Sequence, residues 1–162
     1  RIEALPPRRV ALSWSGQASH PNDRRRSLEL ARFEPLLALA GIQFISIQRD
    51  LRDADAATLA GDGRILYLGP ELADFADTAA VLSLVDLLIC VDTSVAHVAG
   101  AHGRPTFVLL PFQPDWRWTL ERERSPWYPA LRLFRQPAID QWDSVIARVR
   151  TELAGTFGVP VA

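Results

Sequence analysis

Short apolar runs alternate with segments of helical periodicity along nearly the whole chain, and this alternation restricts the fold more than any other feature. Six runs have the length and composition of buried strands: residues 10–14, 42–47, 65–68, 87–91, 107–110 and 131–134. Helical patterns cover residues 27–40, 78–85, 94–102 and 140–153, and Pro35 is expected to interrupt the first. Strands that alternate with helices pair in parallel through right-handed crossovers. The sequence therefore predicts an α/β fold, a Rossmann-like doubly wound sheet of about six parallel strands with helices on both faces.

The chain is expected to form one domain. Its 162 residues, 48% of them apolar, are enough to bury a core. We expect the domain to occupy residues 9–162, and residues 1–8, with Pro6 and Pro7, to be a linker from a missing upstream part. The last helix should lie across the sheet with Asp140 as its N-cap, because it carries an apolar stripe: Trp142, Val145, Ile146, Val149 and Leu153.

Charge and hydropathy exclude several classes of protein. With 18 Lys+Arg against 19 Asp+Glu, the chain has no net positive field to attract nucleic acid. The apolar stretch 79–91 is interrupted by Asp86 and is shorter than the ~20 residues that a membrane span needs. Cys90 is the only cysteine and lies in an apolar strand, as a buried, inert thiol does. We therefore predict no nucleic-acid partner, no membrane span and a reducing, cytoplasmic setting.

The loop after the first strand is a candidate phosphate site, since ligands of open parallel sheets bind beyond the carboxyl ends of the strands. Ser15 and Gly16 begin this loop, and Gly16 permits close approach of a ligand to the backbone. Its predicted donors are Asn22, Arg24, Arg25 and Arg26. The alternative is a solvated basic turn before a helix, which is the commoner meaning of an Arg run on its own.

The loop after the fourth strand is the stronger candidate. Asp92, Thr93 and Ser94 lead directly into a helix, whose free N–H groups and positive dipole end suit a diphosphate. The same three residue types are also favoured helix caps without any ligand. His97 favours a ligand, because an imidazole in an apolar stretch needs a polar partner, although a hydrogen-bonded core histidine is the alternative. At the end of the second strand, Gln48 is a weaker candidate for contact with a ribose or a base.

Other chemistries lack their motifs. The glycine patterns of nicotinamide dinucleotide and P-loop sites are absent, as is the nucleophile elbow of hydrolases. Asp53 and Asp55 form an Asp-x-Asp pair, but it lies in a polar connection before a short Ala-rich helix and is not assigned to a metal. The three histidines lack metal-ligand spacing with Cys90. We expect neither a metal nor a cofactor.

The segment 111–129 is unusually aromatic, with Trp116, Trp118, Trp127 and Tyr128 among charged residues. A long aromatic loop after a strand often covers a site or an interface. Packing onto the edge of the sheet explains the same composition. The sequence leaves both interpretations open.

Several of these segments together resemble a known family. The run DTSVAHVAGA at 92–101, followed by GRPT at 103–106, resembles the donor-site signature of heptosyltransferase-like glycosyltransferases, glycosyltransferase family nine. The segments WSG at 14–16, FISIQ at 44–48, DFADTA at 74–79, PDWRW at 114–118 and SPWYP at 125–129 resemble the C-terminal part of bacterial tetratricopeptide-repeat proteins that carry such a domain.

The resemblance implies a two-domain fold in which each half has its own role. Such enzymes have the GT-B architecture of two Rossmann-like halves, and the C-terminal half binds the nucleotide-sugar donor without a metal. In this chain Asp92, Thr93, Ser94 and His97 would meet the diphosphate, the loop 16–26 would approach it from the other side, and Gln48 would lie near the nucleoside. The base that activates the acceptor belongs to the N-terminal half, so this chain would hold no catalytic residue and would be inactive alone.

The leading hypothesis is the nucleotide-diphosphate-sugar-binding half of a metal-independent, inverting glycosyltransferase, with the nucleotide sugar and the missing N-terminal half as partners. One alternative is a degenerate interaction module on a repeat scaffold, which would have the Trp-rich segment packed over Asp92 with no cavity left. A second is half of a nucleotide-sugar epimerase, which would need acidic residues facing the sugar.

Overall fold

The six strands form one parallel sheet in the structure, a computed structural model that describes residues 1–161. They are β1 (Arg9–Ser13), β2 (Gln43–Ser46), β3 (Ile65–Tyr67), β4 (Leu87–Val91), β5 (Thr106–Leu110) and β6 (Leu131–Arg135). Their order across the sheet is β3-β2-β1-β4-β5-β6, and every neighbouring pair is parallel. The predicted Rossmann-like sheet is confirmed. The strand order reverses between β1 and β4, where a ligand site is expected.

Helices cover both faces of the sheet. The α-helices are α1 (Asp23–Arg26), α2 (Glu34–Leu37), α3 (Asp53–Ala60), α4 (Phe75–Ser83), α5 (Ser94–Ala101) and α6 (Trp142–Phe157). Four 3₁₀ turns complete the elements: Ile2–Ala4, Leu30–Phe33, Gly69–Glu71 and Trp116–Trp118. Buried side chains of α2, α3 and α6 share one core cluster, and those of α4 and α5 share the other. Among residues 1–161, no helix is long and apolar enough to cross a bilayer.

Strand β1 contributes side chains to both core clusters. Val10 and Leu12 belong to the α6 side and Ala11 to the α4 and α5 side, as the two-residue period of a strand requires. Because both faces are covered, the strand is apolar without interruption. In β4, Cys90 is buried with its thiol free, as predicted. Burial, together with the nearby charge of Asp92, raises the pKa of this thiol, which keeps it protonated.

The predicted helix over residues 27–40 is wrong. The chain leaves α1 at Ser27 in an extended conformation, makes the 3₁₀ turn Leu30–Phe33, and then forms the single turn of α2. Pro35 is the cause within α2, because it lacks an N–H group and is tolerated only in the first turn of a helix.

Two further helix ends differ from the prediction. Helix α4 begins three residues before the predicted start, because Asp74 is its N-cap and accepts hydrogen bonds from the amides of Ala76 (2.7 Å) and Asp77 (3.0 Å). The predicted N-cap role of Asp140 is wrong: its φ of 61° turns the chain away, and α6 begins after Gln141. The apolar stripe of α6 is buried as predicted.

Residues 1–8 lie against the domain. Ile2 is buried in the core cluster that includes α4 and α5. The Arg9 guanidinium donates hydrogen bonds to the carbonyl oxygens of Glu3 (3.1 Å), Leu5 (2.7 Å) and Pro6 (3.2 Å). These bonds hold the segment against the start of β1; its role as a linker stays a prediction.

Asp55 of the Asp-x-Asp pair is a structural carboxylate. It is 1% exposed and accepts hydrogen bonds from the indole Nε1 of Trp14 (2.9 Å) and the amide of Leu30 (2.7 Å). It therefore joins α3 to the end of β1 and to the 3₁₀ turn that replaces the expected long helix. Asp53, two residues earlier in α3, is exposed.

Replacing Asp55 with Ala should lower the free energy of unfolding by about 2–4 kcal/mol, because two buried donors lose their acceptor. Asp53→Ala is the matched control on the same helix and should change stability by less than about 1 kcal/mol. Urea denaturation of the two variants measures the difference. Equal stability of both variants would show that Asp55 does not hold these elements together.

Candidate functional site

Two clefts lie at the carboxyl edge of the sheet, where the strand order reverses. The larger has a volume of about 640 Å³ and is lined by the ends of β1 and β2, the start of α4 and the start of α5. The smaller, of about 190 Å³, lies between the first loop, the start of α5 and the segment after β5. Arg26, Thr93 and Ser94 line both clefts. The two clefts therefore adjoin at these three residues.

The Gln48 side chain fixes the first loop to the end of β2. Its Oε1 accepts hydrogen bonds from the amides of Trp14 (3.0 Å) and Ser15 (3.1 Å) and from the Ser13 hydroxyl (3.3 Å). Its Nε2 donates to the carbonyl oxygens of Ser15 (3.0 Å) and Asp50 (3.2 Å). Gln48 lines the larger cleft but is 5% exposed, and both ends of its amide are engaged within the chain. Its contact with a nucleoside stays a prediction.

A buried network shapes the rest of the first loop. The amide of Gly16 donates to the Ser27 hydroxyl (2.9 Å), which in turn donates to the Asp23 carboxylate (2.5 Å). Asp23 is 4% exposed and forms an ion pair with Arg52, on the connection that precedes α3. The network anchors both ends of α1, so that Arg26 in its last turn has a fixed position.

Arg26 joins the two candidate loops. Its Nη1 donates to the carbonyl oxygen of Asp92 at 2.7 Å, and its Nε is buried without a hydrogen-bond partner among the described residues. The guanidinium lies against Gly16, where a Cβ would come within 2.7 Å of Nη2. A side chain at position 16 would therefore require the end of Arg26 to shift. A fixed guanidinium at the junction of the two clefts suits a bound phosphate group.

The N-terminus of α5 is not capped by its own side chains. Thr93 is the N-cap, yet it makes no side-chain hydrogen bond to the first turn; its hydroxyl lies 3.5 Å from the carbonyl oxygen of Val91. Helix α4 differs, because the side chain of its N-cap Asp74 accepts hydrogen bonds from two amides of the first turn. The first amides of α5 and the exposed Ser94 hydroxyl therefore face the clefts, which is the arrangement that binds anions at helix termini.

His97 lies in an aromatic cluster one turn into α5. Its ring stacks on Trp118 with centroids 5.2 Å apart, and its Nδ1 is 3.3 Å from the Tyr128 hydroxyl. The ring is half-buried and lines the smaller cleft. His97 thus has the packing of a core histidine on one side and an open cleft on the other. Its role as a ligand stays a prediction.

The Trp-rich segment divides between core and surface. Trp118 is fully buried in the core cluster next to α5, and Tyr128 packs against the same cluster. Trp116 and Trp127 are 71% and 60% exposed. The segment packs beside the smaller cleft and leaves it open, so the closed arrangement expected of a degenerate module is not observed.

The site brings together most of the residues that the sequence predicts. Eight of the nine candidates line one cleft or both: Ser15, Gly16, Asn22, Gln48, Asp92, Thr93, Ser94 and His97. Arg24 lines neither, because it lies on the exposed side of α1, and Arg26 takes the position between the loops. The sequence offers three consecutive arginines without distinguishing them. Among residues 1–161, no group of three or more His, Cys, Asp or Glu side chains is placed to bind a metal.

Comparison with known proteins matches this part of the fold to a transferase family. Residues 44–118 match glycosyltransferase family 9 (heptosyltransferase). Over 159 residues the chain is 30% identical to protein FlbA of Caulobacter vibrioides, and the match covers 94% of this chain and 26% of FlbA. The chain thus spans about a quarter of the length of that relative. The family match supports a domain like that of glycosyltransferase family 9.

Gly100 and Gly155 provide a matched pair for the aromatic cluster. A Cβ at Gly100 would lie 2.5 Å from the Tyr128 ring, whereas one at Gly155 would meet nothing within 4 Å. Gly100→Ala should lower the free energy of unfolding by about 1–3 kcal/mol through overpacking. Gly155→Ala, in the last turn of α6, should raise it by up to about 0.5–1 kcal/mol. Urea denaturation measures both, and a stabilised Gly100→Ala variant would contradict the close packing of Tyr128 on α5.

Proposed function

We propose that this chain is the nucleotide-sugar-binding half of a metal-independent, inverting glycosyltransferase. The observation that carries the proposal is the pairing of Arg26 with the uncapped start of α5 at the junction of two clefts. The match of residues 44–118 to glycosyltransferase family 9 supports the reaction class.

The diphosphate of the donor binds between Arg26 and the first turn of α5. The amides of that turn and the Ser94 hydroxyl donate to phosphate oxygens from one side, and the guanidinium contributes charge from the other. Thr93 and Ser94 line both clefts, so the diphosphate spans the boundary between them. Positive charge from the protein takes the part that a metal ion has in other transferases.

The nucleoside occupies the larger cleft. Its volume of about 640 Å³ lies within the range of small-molecule sites. Phe75 is 58% exposed at the start of α4 and lines this cleft, so its ring is accessible to a base for stacking. Gln48 contributes by holding the first loop in the shape of the cleft wall.

Transfer breaks the bond between the anomeric carbon of the sugar and the terminal phosphate oxygen, as the acceptor hydroxyl attacks from the opposite face. Negative charge then grows on the departing diphosphate. Donors already placed at Arg26 and at the start of α5 stabilise that charge without reorganisation, which is often the largest single contribution to catalysis. In this proposal an N-terminal half binds the acceptor and provides the base that takes the proton of its hydroxyl.

We extend the proposal to the whole protein. The full-length chain has GT-B architecture, in which an N-terminal half closes the cleft, and it carries tetratricopeptide repeats and acts in the cytoplasm. The greater length of FlbA is in keeping with such additional parts.

Nucleotide binding should be measurable on this chain by thermal unfolding against UDP, GDP, ADP and CMP and their sugar conjugates. A ligand at ~100 times its Kd raises the free energy of unfolding by ~2.7 kcal/mol. We expect a shift of the unfolding midpoint that is selective for one base. Unchanged midpoints with every compound would contradict the proposal.

Arg26→Ala should weaken nucleotide binding by about 10- to 100-fold, because a charged hydrogen bond of about 1.5–3 kcal/mol to phosphate is lost. Arg24→Ala should leave the affinity unchanged, since Arg24 lies outside both clefts. Ser94→Ala and His97→Ala should also weaken binding while the fold is kept. Calorimetric titration gives the affinities and circular dichroism checks the fold. Equal losses for Arg24 and Arg26 would indicate a diffuse charge effect and contradict the assigned position of the diphosphate.

A further inference from the structure

A third cleft adjoins the smaller one at the aromatic segment after β5. It has a volume of about 240 Å³ and is lined by His97, Trp116, Arg117, Trp127 and Tyr128. His97 and Arg117 also line the smaller cleft, so the two spaces meet at these side chains. A ligand that extends from the smaller cleft past these side chains would therefore reach the third.

Local contacts hold the two tryptophans of this cleft in place at the surface. The Trp127 indole Nε1 donates to the carbonyl oxygen of Arg117 at 3.0 Å, and the Trp116 and Trp127 rings meet edge to face with centroids 6.5 Å apart. The Arg117 guanidinium lies 5.0 Å from the Trp116 ring centroid and is paired with Asp115 at 2.8 Å. Both rings are nevertheless more than half exposed. Exposed aromatic surface that is held in place in this way is a common feature of binding sites.

The chemistry of the cleft suits a sugar ring. An indole face carries negative charge density, which attracts the polarised C–H groups of a sugar. The Tyr128 hydroxyl, the His97 ring and the Arg117 guanidinium lie around these faces and offer hydrogen-bonding groups to sugar hydroxyls. A purely apolar ligand would make no use of these polar groups, and a nucleobase already has a place in the larger cleft under the proposed function.

We propose that Trp116 and Trp127 form the subsite for the sugar ring of the donor, with His97 at its boundary with the diphosphate. This assignment rests on the proposed nucleotide-sugar function. It follows from adjacency: the sugar is bonded to the terminal phosphate, and the third cleft shares His97 and Arg117 with the smaller cleft.

Calorimetric titration of the full 162-residue chain tests the subsite. The probes are three pairs of a bare diphosphate and its sugar conjugate: UDP with UDP-glucose, GDP with GDP-mannose, and ADP with ADP-glucose. Trp127→Ala and Trp116→Ala should weaken the sugar conjugate about tenfold, or about 1.4 kcal/mol, and the bare diphosphate by less than about twofold. Trp127→Phe keeps an aromatic face but loses the bond to Arg117, and should retain most of the affinity for the conjugate.

Leu120→Ala is the matched control, because Leu120 is 70% exposed in the same segment and lines none of the three clefts. It should leave both affinities unchanged.

Equal weakening of the conjugate and the bare diphosphate by the Trp variants, or no weakening of either, would overturn the subsite alone. Wild-type chain that binds no probe at all would overturn the donor site and the subsite together. Trp variants that turn a dimer into a monomer in sedimentation would assign the surface to a second copy of the chain and overturn the subsite.

Discussion

Strand β1 has β2 on one side and β4 on the other, and the connections that leave β1 and β4 go to opposite faces of the sheet. The path after β1 leads to α2 and the core shared with α6, whereas α5 after β4 joins the core shared with α4. The two loops must therefore part above the sheet, and a cleft opens between them. Arg26 bridges this gap by its bond to Asp92, so the central feature of the site follows from the strand order.

Buried polar side chains give the irregular segments around the cleft a single conformation. Gln48 satisfies the backbone where β1 ends, and Asp55 does so for the 3₁₀ turn that follows the first loop. A buried amide or carboxylate is costly unless all its partners are present, so each side chain excludes alternative loop geometries. The same interactions that stabilise the domain thus also fix the positions of Gly16 and Arg26.

The sequence predicts the sheet well because an apolar strand covered on both faces leaves an unmistakable run, and β4 is such a case. It also predicts which loops meet, since parallel strands bring their carboxyl ends to one edge. It cannot select Arg26 over Arg24, because that choice depends on the orientation of the short helix α1. It cannot reveal that the Gln48 amide is engaged with backbone groups, because those partners are brought together only by the fold.

The aromatic segment after β5 has some side chains packed on the domain and others exposed to solvent. Trp118 is buried beneath His97, and Tyr128 packs closely on Gly100, so the base of the segment is fixed to α5. Trp116, two residues before Trp118, faces water. Because its exposed residues carry none of the packing of the sheet, they can change without affecting the fold. Under the proposed function, donor selectivity would therefore depend on this segment, and stabilisation of the leaving group on the loops at the carboxyl ends of the strands.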